Sequence, residues 1–529
     1  MTAYGRSWEE TNLFAQVVSY GLSGMDGYPV TIDVNCSGGM PKFSMVGLPD
    51  AAVKESFDRV KTALSNSGMR FPLGNIVVNL APAHIKKIGS MYDLPIALGL
   101  LAASGYISPD VLAGTLFVGE LALSGEVRVT RGALAGALFA LEHGLSAMVL
   151  PESNAREVLC IDKIQLLPAT SLAQVVDHLR GKQRITPLTP VPYESLRREA
   201  AVLHDLRYVK GQHEAKRALE IAAAGGHNLL MVGPPGSGKT MLAECMPSIL
   251  PDMTFEEALE TTKIYSGAGR LPEGASMLTE RPFRNPHHTA SAASLVGGGK
   301  DASPGEISYA HNGILFLDEL PEYDKRVLEA LRQPLENGRV SVARVHAANE
   351  YPARVMLIAA MNPCHCGYHG TNDGRCTCLY DSVQKYQSKV SGPLLDRIDL
   401  RVNVRSVPVA DLSESADGAE TSAAVRERVN RARRVQIKRN GRLGVTSNAN
   451  LDSRMLNEVI RLAEQPRVLL AKATERFRLS ARSHYRVMRV ARTIADLAGE
   501  AEISAVHVSE ALAYRLQSSM DGSGSGSPQ

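Results

Sequence analysis

The stretch Leu229-Leu230-Met231-Val232-Gly233-Pro234-Pro235-Gly236-Ser237-Gly238-Lys239-Thr240 decides how the chain is read. Four apolar residues make a short buried strand, the next eight spell G-x-x-x-x-G-K-T, and a helical pattern opens at Met241. Small residues let backbone N–H groups turn inward around phosphates, and the helix N-terminus adds its positive dipole. Lys239 would reach the β- and γ-phosphates of ATP, and the Thr240 hydroxyl would ligate Mg2+. A glycine-rich turn ahead of a helix is the plainer alternative, and the strand–loop–helix context argues against it.

Working outward, Ile314–Leu317 is a second apolar strand with Asp318 and Glu319 at its end. Asp318 can hold the Mg2+ water shell and Glu319 can polarise an attacking water, although an acid pair capping a helix would look the same locally. A third strand, Val355–Ala360, delivers Met361 and Asn362, whose carboxamide can orient that water or merely cap a helix. Ser391-Gly392-Pro393-Leu394-Leu395-Asp396-Arg397-Ile398-Asp399 then leads into the strand-like Leu400–Val404.

In this order the four motifs resemble the AAA+ ATPases of the magnesium-chelatase and MCM branch. The resemblance implies that Arg397 is an arginine finger entering the nucleotide site of a neighbouring subunit, so that activity depends on assembly. Surface pairing of Arg397 with Asp396 or Asp399 is the local alternative. The phrases R-P-F-R-N-P-H-H-T-A-S (281–291), P-G-E-I-S (304–308), N-G-I-L-F-L-D-E-L (312–320), M-N-P-C (361–364) and S-G-P-L-L-D-R-I-D (391–399) resemble the ComM (YifB, magnesium-chelatase-like) family more closely. That resemblance runs from about Phe14 to Leu516. It implies a hexameric, ATP-driven helicase that acts on single-stranded and branched DNA and promotes branch migration in natural transformation, with recombination proteins as partners. A chelatase- or MoxR-type motor that remodels a protein is the second reading.

Lys239 and Asp318 lie further apart than neighbouring core strands require. In the related branch such an insertion interrupts a helix and points into a central pore; here it contains His287, His288 and Gly297-Gly298-Gly299-Lys300. Between the second and third strands, Gly338–Val345 alternates as a β-hairpin would. Lys300, Arg339 and Arg344 are the candidate DNA contacts, against a solvated surface hairpin.

Cys364, Cys366, Cys376 and Cys378 form C-x-C-x9-C-x-C. Four soft thiolates suit a structural, tetrahedral Zn2+; His365 or His369 can replace one, and reduced buried cysteines are the alternative. The knuckle directly follows Asn362.

In the amino-terminal block, Asp93–Leu98 and Val118–Arg128 resemble the Lon-protease-like fold also found in RadA-type proteins. Aligning the Lon motifs puts Met91 at the serine position and Leu134 at the lysine position, while Ser90 has no basic partner. A non-proteolytic scaffold or DNA-contacting platform follows. Near the other end, Arg426, Arg428, Arg431, Arg433, Arg434, Lys438, Arg439 and Arg442 crowd one helix and its end, either as a solvated face or towards phosphates. Leu479–Arg482 starts a helix resembling the AAA+ lid helix. By that likeness Arg482 contacts the γ-phosphate, ahead of Arg486 and Arg489.

The expected fold is thus α/β: an AAA+ P-loop core with an α-helical lid, preceded by a Lon-protease-like α+β domain without the catalytic Ser and Lys. The boundaries expected are a tag or disordered leader at 1–13, an amino-terminal domain at 14–183 and a Pro-rich linker at 184–207. The core follows at 208–407, the lid at 408–516 and a Gly/Ser tail at 517–529. Composition agrees: 529 residues, 44% hydrophobic and 21% charged, exclude wholesale disorder. Lys plus Arg total 58 against 55 acids, so any nucleic-acid surface is local. Seven cysteines are too sparse for a disulfide scaffold and point to a reducing cytoplasm, and neither a charged-then-apolar secretory signal nor a membrane-length apolar run is expected.

Overall fold

The computed structural model describes residues 13–197, 204–271, 275–299, 302–344, 347–371, 374–407 and 419–516. The expected leader (but for Leu13), the break at 408–418 and the Gly/Ser tail lie outside them. The chain forms two compact units. One comprises Met1–Arg198 with Phe255–Thr279, the other Glu199–Thr254 with Glu280–Gln529. Residues 255–279, placed by sequence in the 208–407 block, therefore group with the amino-terminal unit. Among the described residues, no helix is long and apolar enough to cross a membrane.

In the first unit, β1 (Leu13–Ser23) and β2 (Asp26–Ser37) pair antiparallel from Leu13↔Cys36 to Ser23↔Asp26. β3 (Lys42–Val46), β4 (Asn75–Ala81), β5 (Thr115–Phe117), β8 (Ala147–Pro151) and β9 (Gln165–Ala169) complete a seven-stranded sheet ordered β3-β4-β2-β1-β5-β8-β9, with β6 (Glu120–Leu121) and β7 (Val127–Arg128) forming a separate ladder. Val30, Ile32, Val34 and Cys36 are buried at every second position, the period of a strand with one covered face. The helix Asp93–Ala103 is apolar almost throughout and buried along its whole length. Its one acid, Asp93, meets Arg59 at 2.7 Å. The Pro-rich stretch stays with this unit, since Leu188 and Val191 N–H groups donate to Leu166 and Leu159 carbonyls.

The second unit is built on β10 (Leu229–Val232), β11 (Phe283–Arg284), β14 (Ile314–Leu317), β17 (Met356–Met361) and β18 (Leu400–Asn403), all parallel, in the order β11-β14-β17-β10-β18. β14 and β17 are buried at every position, as strands covered on both faces must be. The order seats β17 between β10 and β14, so three strand ends converge at one edge. That edge is where ligands bind in open parallel sheets.

Two short ladders project from this sheet. β12 (Gly297–Gly298) and β13 (Ser303–Pro304) pair antiparallel and lie in the chain between the helices Ala292–Val296 and Glu306–Tyr309. β15 (Arg339–Arg344) and β16 (Ala347–Pro352) form the second hairpin, and Tyr351 Oη ties it to the first by donating to Ala302 O at 2.9 Å. The carboxy-terminal helices Ser422–Asn440, Ala481–Ala498 and Ala505–Leu516 share one apolar core with a face of the sheet, through Val425, Val429, Val487, Ile494 and Leu512. Most cations of the first of these helices are internally paired. Arg426 meets Asp252, Arg428 meets Glu220 and Glu420, Arg431 meets Glu427 and Arg439 meets Asp496, while Arg433 donates to Ala223 and Ala224 carbonyls.

Candidate active site

The loop Gly233–Gly238 leaves β10 where its neighbours end, and Gly233 N–H donates to Met361 O at the tip of β17. Gly236 and Gly238 have φ of +73° and +88°, and a Cβ at either would meet nothing within 4 Å. Only glycine takes that backbone without strain, and the space it leaves is an open cradle of N–H groups at the start of the helix Lys239–Ile249. Lys239 is 8% exposed. Its Nζ donates to Gly233 O at 2.9 Å, Pro234 O at 2.8 Å and Asn362 Oδ1 at 3.2 Å. Burial lowers its pKa, opposed by the charges of Asp318 and Glu319.

Thr240 Oγ1 donates to Asp318 Oδ2 at 2.7 Å, so the expected Mg2+ pair is already in contact. Glu319 follows in the left-handed region at φ 52°, a conformation costly for a side chain other than glycine and common at functional sites. Its carboxylate lies 3.5 Å from His288 Nδ1. The His288 ring lies tilted against His287 and meets Tyr323 edge-on. Lys239, Thr240, Asp318, Glu319 and Asn362 are thus gathered at one sheet edge. The cradle, the buried ammonium and the hydroxyl–carboxylate pair fit a nucleoside triphosphate with Mg2+.

The two expected arginines lie elsewhere. Arg397 donates to Pro393 O at 2.8 Å and to the Glu336 carboxylate. Arg482 Nη2 reaches the other oxygen of that same carboxylate at 3.7 Å. The structure therefore brings Arg482 to Arg397, and among the described residues neither bonds to the Lys239 cluster. The Arg397 backbone is pinned by Asn228, whose Nδ2 donates to Arg397 O at 3.0 Å, and by Arg515, which donates to Ile398 O and Asp396.

Four cysteine sulfurs form a third cluster, all within 4.8 Å of one another. Cys364–Cys366, Cys364–Cys376 and Cys366–Cys376 measure 3.3, 3.8 and 3.7 Å. A tetrahedron with Zn–S of about 2.3 Å has edges of about 3.8 Å, so the donor set fits Zn2+. His369 instead donates its backbone N–H to Cys364 Sγ, and the His365 ring meets Tyr386. Within the knuckle, Gly367 (φ +88°) presses on the phosphate loop: a Cβ there would lie 2.5 Å from Pro235 Cδ.

Of the candidate DNA contacts, Lys300 and the side chain of Arg344 lie outside the described residues. Arg339 is exposed and faces Glu350 across its hairpin at 3.3 Å. In the first unit, the two positions where Lon chemistry would sit are apolar and buried, Met91 at 8% and Leu134 at 0%. Ser90 Oγ donates to Glu120, while Lys87 Nζ donates to the Pro82 and Ile85 carbonyls.

A parallel sheet in this order, with a phosphate loop, an Asp-Glu strand end and an Asn strand end converging on one edge, defines a P-loop ATPase of the AAA+ class. Comparison with known proteins carries this further. The family profiles "Magnesium chelatase, subunit ChlI", "Subunit ChlI of Mg-chelatase" and "Magnesium chelatase, subunit ChlI C-terminal" match residues 205–412, 32–154 and 419–515. The chain is 42% identical over 502 residues to the competence protein ComM of Haemophilus influenzae, covering 95% of this chain and 97% of that one. It is 43% identical over 492 residues to the uncharacterized protein YifB of Escherichia coli, covering 93% and 95%. The magnesium-chelatase 38 kDa subunit of Rhodobacter capsulatus is 26% identical over 174 residues, 29% of this chain and 49% of that protein. The chain belongs to the ComM/YifB family of magnesium-chelatase-like AAA+ ATPases, whose cofactors are ATP and Mg2+.

Proposed function

We propose that the protein is an ATP-driven motor on DNA, a helicase or branch-migration ATPase working as a ring of copies, six by family resemblance, in recombination during natural transformation. The observation that carries the reading is the division of the site. Lys239, Thr240, Asp318, Glu319 and Asn362 form one half, while Arg397 and Arg482 form a separate cationic half on Glu336. A nucleotide seated on the first half has Lys239 but no arginine to stabilise the charge developing in phosphoryl transfer, and a second copy would supply one.

The backbone of Gly233–Gly238 and the Lys239 ammonium would bind the phosphates. Thr240 and Asp318 would hold Mg2+, which would neutralise phosphate charge when bound. Glu319 would take the proton of an attacking water that Asn362 orients, and Arg397 with Arg482 would complete the site from the neighbour. The paired hairpins at 297–304 and 339–352, carrying Lys300, Arg339 and Arg344, are the proposed DNA-gripping elements. Cys364, Cys366, Cys376 and Cys378 would hold a structural Zn2+ that braces the loop at Pro235. We assign the first unit a Lon-protease-like fold without protease chemistry, a reading supported by the apolar Met91 and Leu134 and by the Glu120 partner of Ser90.

The test is ATP-driven movement of a three- or four-way DNA junction, with Glu319→Gln as the control. Wild type should move junctions and the variant should bind ATP without moving them. Unmoved junctions alongside robust ATP turnover would overturn the DNA reading in favour of a motor acting on a protein partner.

A further inference from the structure

A finger that serves a neighbour must be free to leave its own chain, and Arg397 is not. Its side chain is 10% exposed, held by Glu336 on one side and Pro393 O on the other. The buried Arg397 Nε has no hydrogen-bond partner among the described residues, so the resting position is incompletely satisfied. Arg482, at the start of the helix Ala481–Ala498, shares the same carboxylate and is 67% exposed. Two guanidinium groups on one carboxylate leave an excess positive charge at this point. Glu336 is half exposed and stands near the end of the helix Arg332–Asn337, from which Gly338 leads straight into the hairpin strand β15.

We infer that Glu336 is a positioning residue of the second half-site. It gathers Arg397 and Arg482 into one pair, holds that pair back on its own chain, and yields it to the triphosphate of a second copy. A phosphate chain offers more negative charge than one carboxylate and accepts the same planar fork of donors, so the exchange runs forward once two copies are apposed. Because Glu336 sits at the foot of β15, movement of the hairpin shifts the carboxylate directly. What binds the hairpin thereby sets when the arginines are released. This inference rests on the reading that Arg397 completes a neighbouring copy's site.

The experiment uses the full chain as wild type, Glu336→Gln, Glu336→Asp and Arg397→Ala. The first readout is labelling of Arg397 by an arginine-specific dicarbonyl in the nucleotide-free protein, quantified by peptide mass spectrometry. The second is ATP turnover with and without DNA, resolved into kcat and KM. Glu336→Gln should increase Arg397 labelling and raise DNA-free kcat about fivefold, the most a half-exposed ion pair withholds. KM and the DNA-stimulated kcat should stay near wild type, and Glu336→Asp should restore the resting behaviour. Wild-type labelling and wild-type DNA-free kcat in Glu336→Gln would overturn the inference, as would equal losses of basal and stimulated kcat. Arg397→Ala separates the two layers. If it turns over like wild type, the neighbouring-copy reading falls and this inference with it. If it is inactive while Glu336→Gln is indistinguishable from wild type, this inference alone falls.

Discussion

Replacing Asp399 by asparagine removes one charge from the joint that carries Arg397, and the structure sets the size of the effect. Asp399 Oδ2 accepts the Asn228 N–H at 3.1 Å and lies 3.6 Å from His227 Nδ1, while Oδ1 lies 3.7 Å from Arg486 Nε. Burial alone would raise this carboxyl. The neighbouring His227, then the charges of Arg486 and Arg489, more than reverse that and hold it at about 2, against 3.8 for a free aspartate. Such a shift corresponds to roughly 2.5 kcal/mol of stabilisation. Because the folded pKa is depressed, this contribution is complete above about pH 4 and is lost as pH falls towards about 2. Asp399→Asn should therefore destabilise the second unit by roughly 2–3 kcal/mol at pH 7. Denaturant-dependent hydrogen exchange of β18 and the helix Ala481–Ala498 measures this, with the seven-stranded sheet of the first unit as an unchanged reference. Since Asn228 also anchors the Arg397 carbonyl, turnover should fall by roughly an order of magnitude or more. Unaltered exchange in β18 at pH 7, or an undiminished ATPase, would refute the reasoning.

Two further outcomes follow from buried or clustered groups. Purified protein should contain about one zinc per chain, and chelation should weaken ATP binding about fivefold or more, because the knuckle braces Pro235 through Gly367. A metal-free, fully folded preparation with unchanged ATP affinity would contradict this. Glu157, 5% exposed, accepts the Leu134 N–H at 3.1 Å, yet burial pushes its carboxyl up to about 7 from 4.5. The folded pKa is raised, so the first unit should lose roughly 3 kcal/mol of stability as pH rises from about 4.5 to about 7. Thermal unfolding of Glu157→Gln should lack that dependence; a slope equal to wild type would count against it.

The nucleotide half of the site was legible in sequence because each functional group stands at the end of a short, wholly apolar strand: Leu229–Val232 before the loop, Ile314–Leu317 before Asp318, and Met356–Met361 before Asn362. Strand ends converge by topology, and local spacing suffices to read them. What escaped detection depends on contacts distant in sequence. Glu336 sits on an unremarkable polar helix and gains its place only when the segments of Arg397 and Arg482 fold onto it. Resemblance suggested a γ-phosphate role for Arg482, but spacing along one helix could not reveal which carboxylate that helix start would meet. His288 belonged to a pair that was noticed, without any signal that Glu319 would turn into the left-handed region beside it. Helix Phe255–Gly267 buries Ala258, Thr261, Thr262, Ile264 and Ser266, and nothing in its sequence announces that it groups with the first unit. The arginines of the helix Ser422–Asn440 form a basic run in sequence, whereas partners as remote as Glu220 and Asp252 pair with several of them in the fold.

The central claim is that each ATP site is completed by a second copy. It is tested most directly by mixing two singly inactive proteins, Lys239→Ala and Arg397→Ala. Each seam then needs an intact phosphate loop from one chain and an intact Arg397 from the other, a combination present at about a quarter of the seams in a randomly mixed ring. The account predicts that the mixture regains ATP turnover that neither variant has alone. Failure to regain turnover in a mixture shown by mass to contain both chains in one assembly, or full turnover by Arg397→Ala alone, would contradict it.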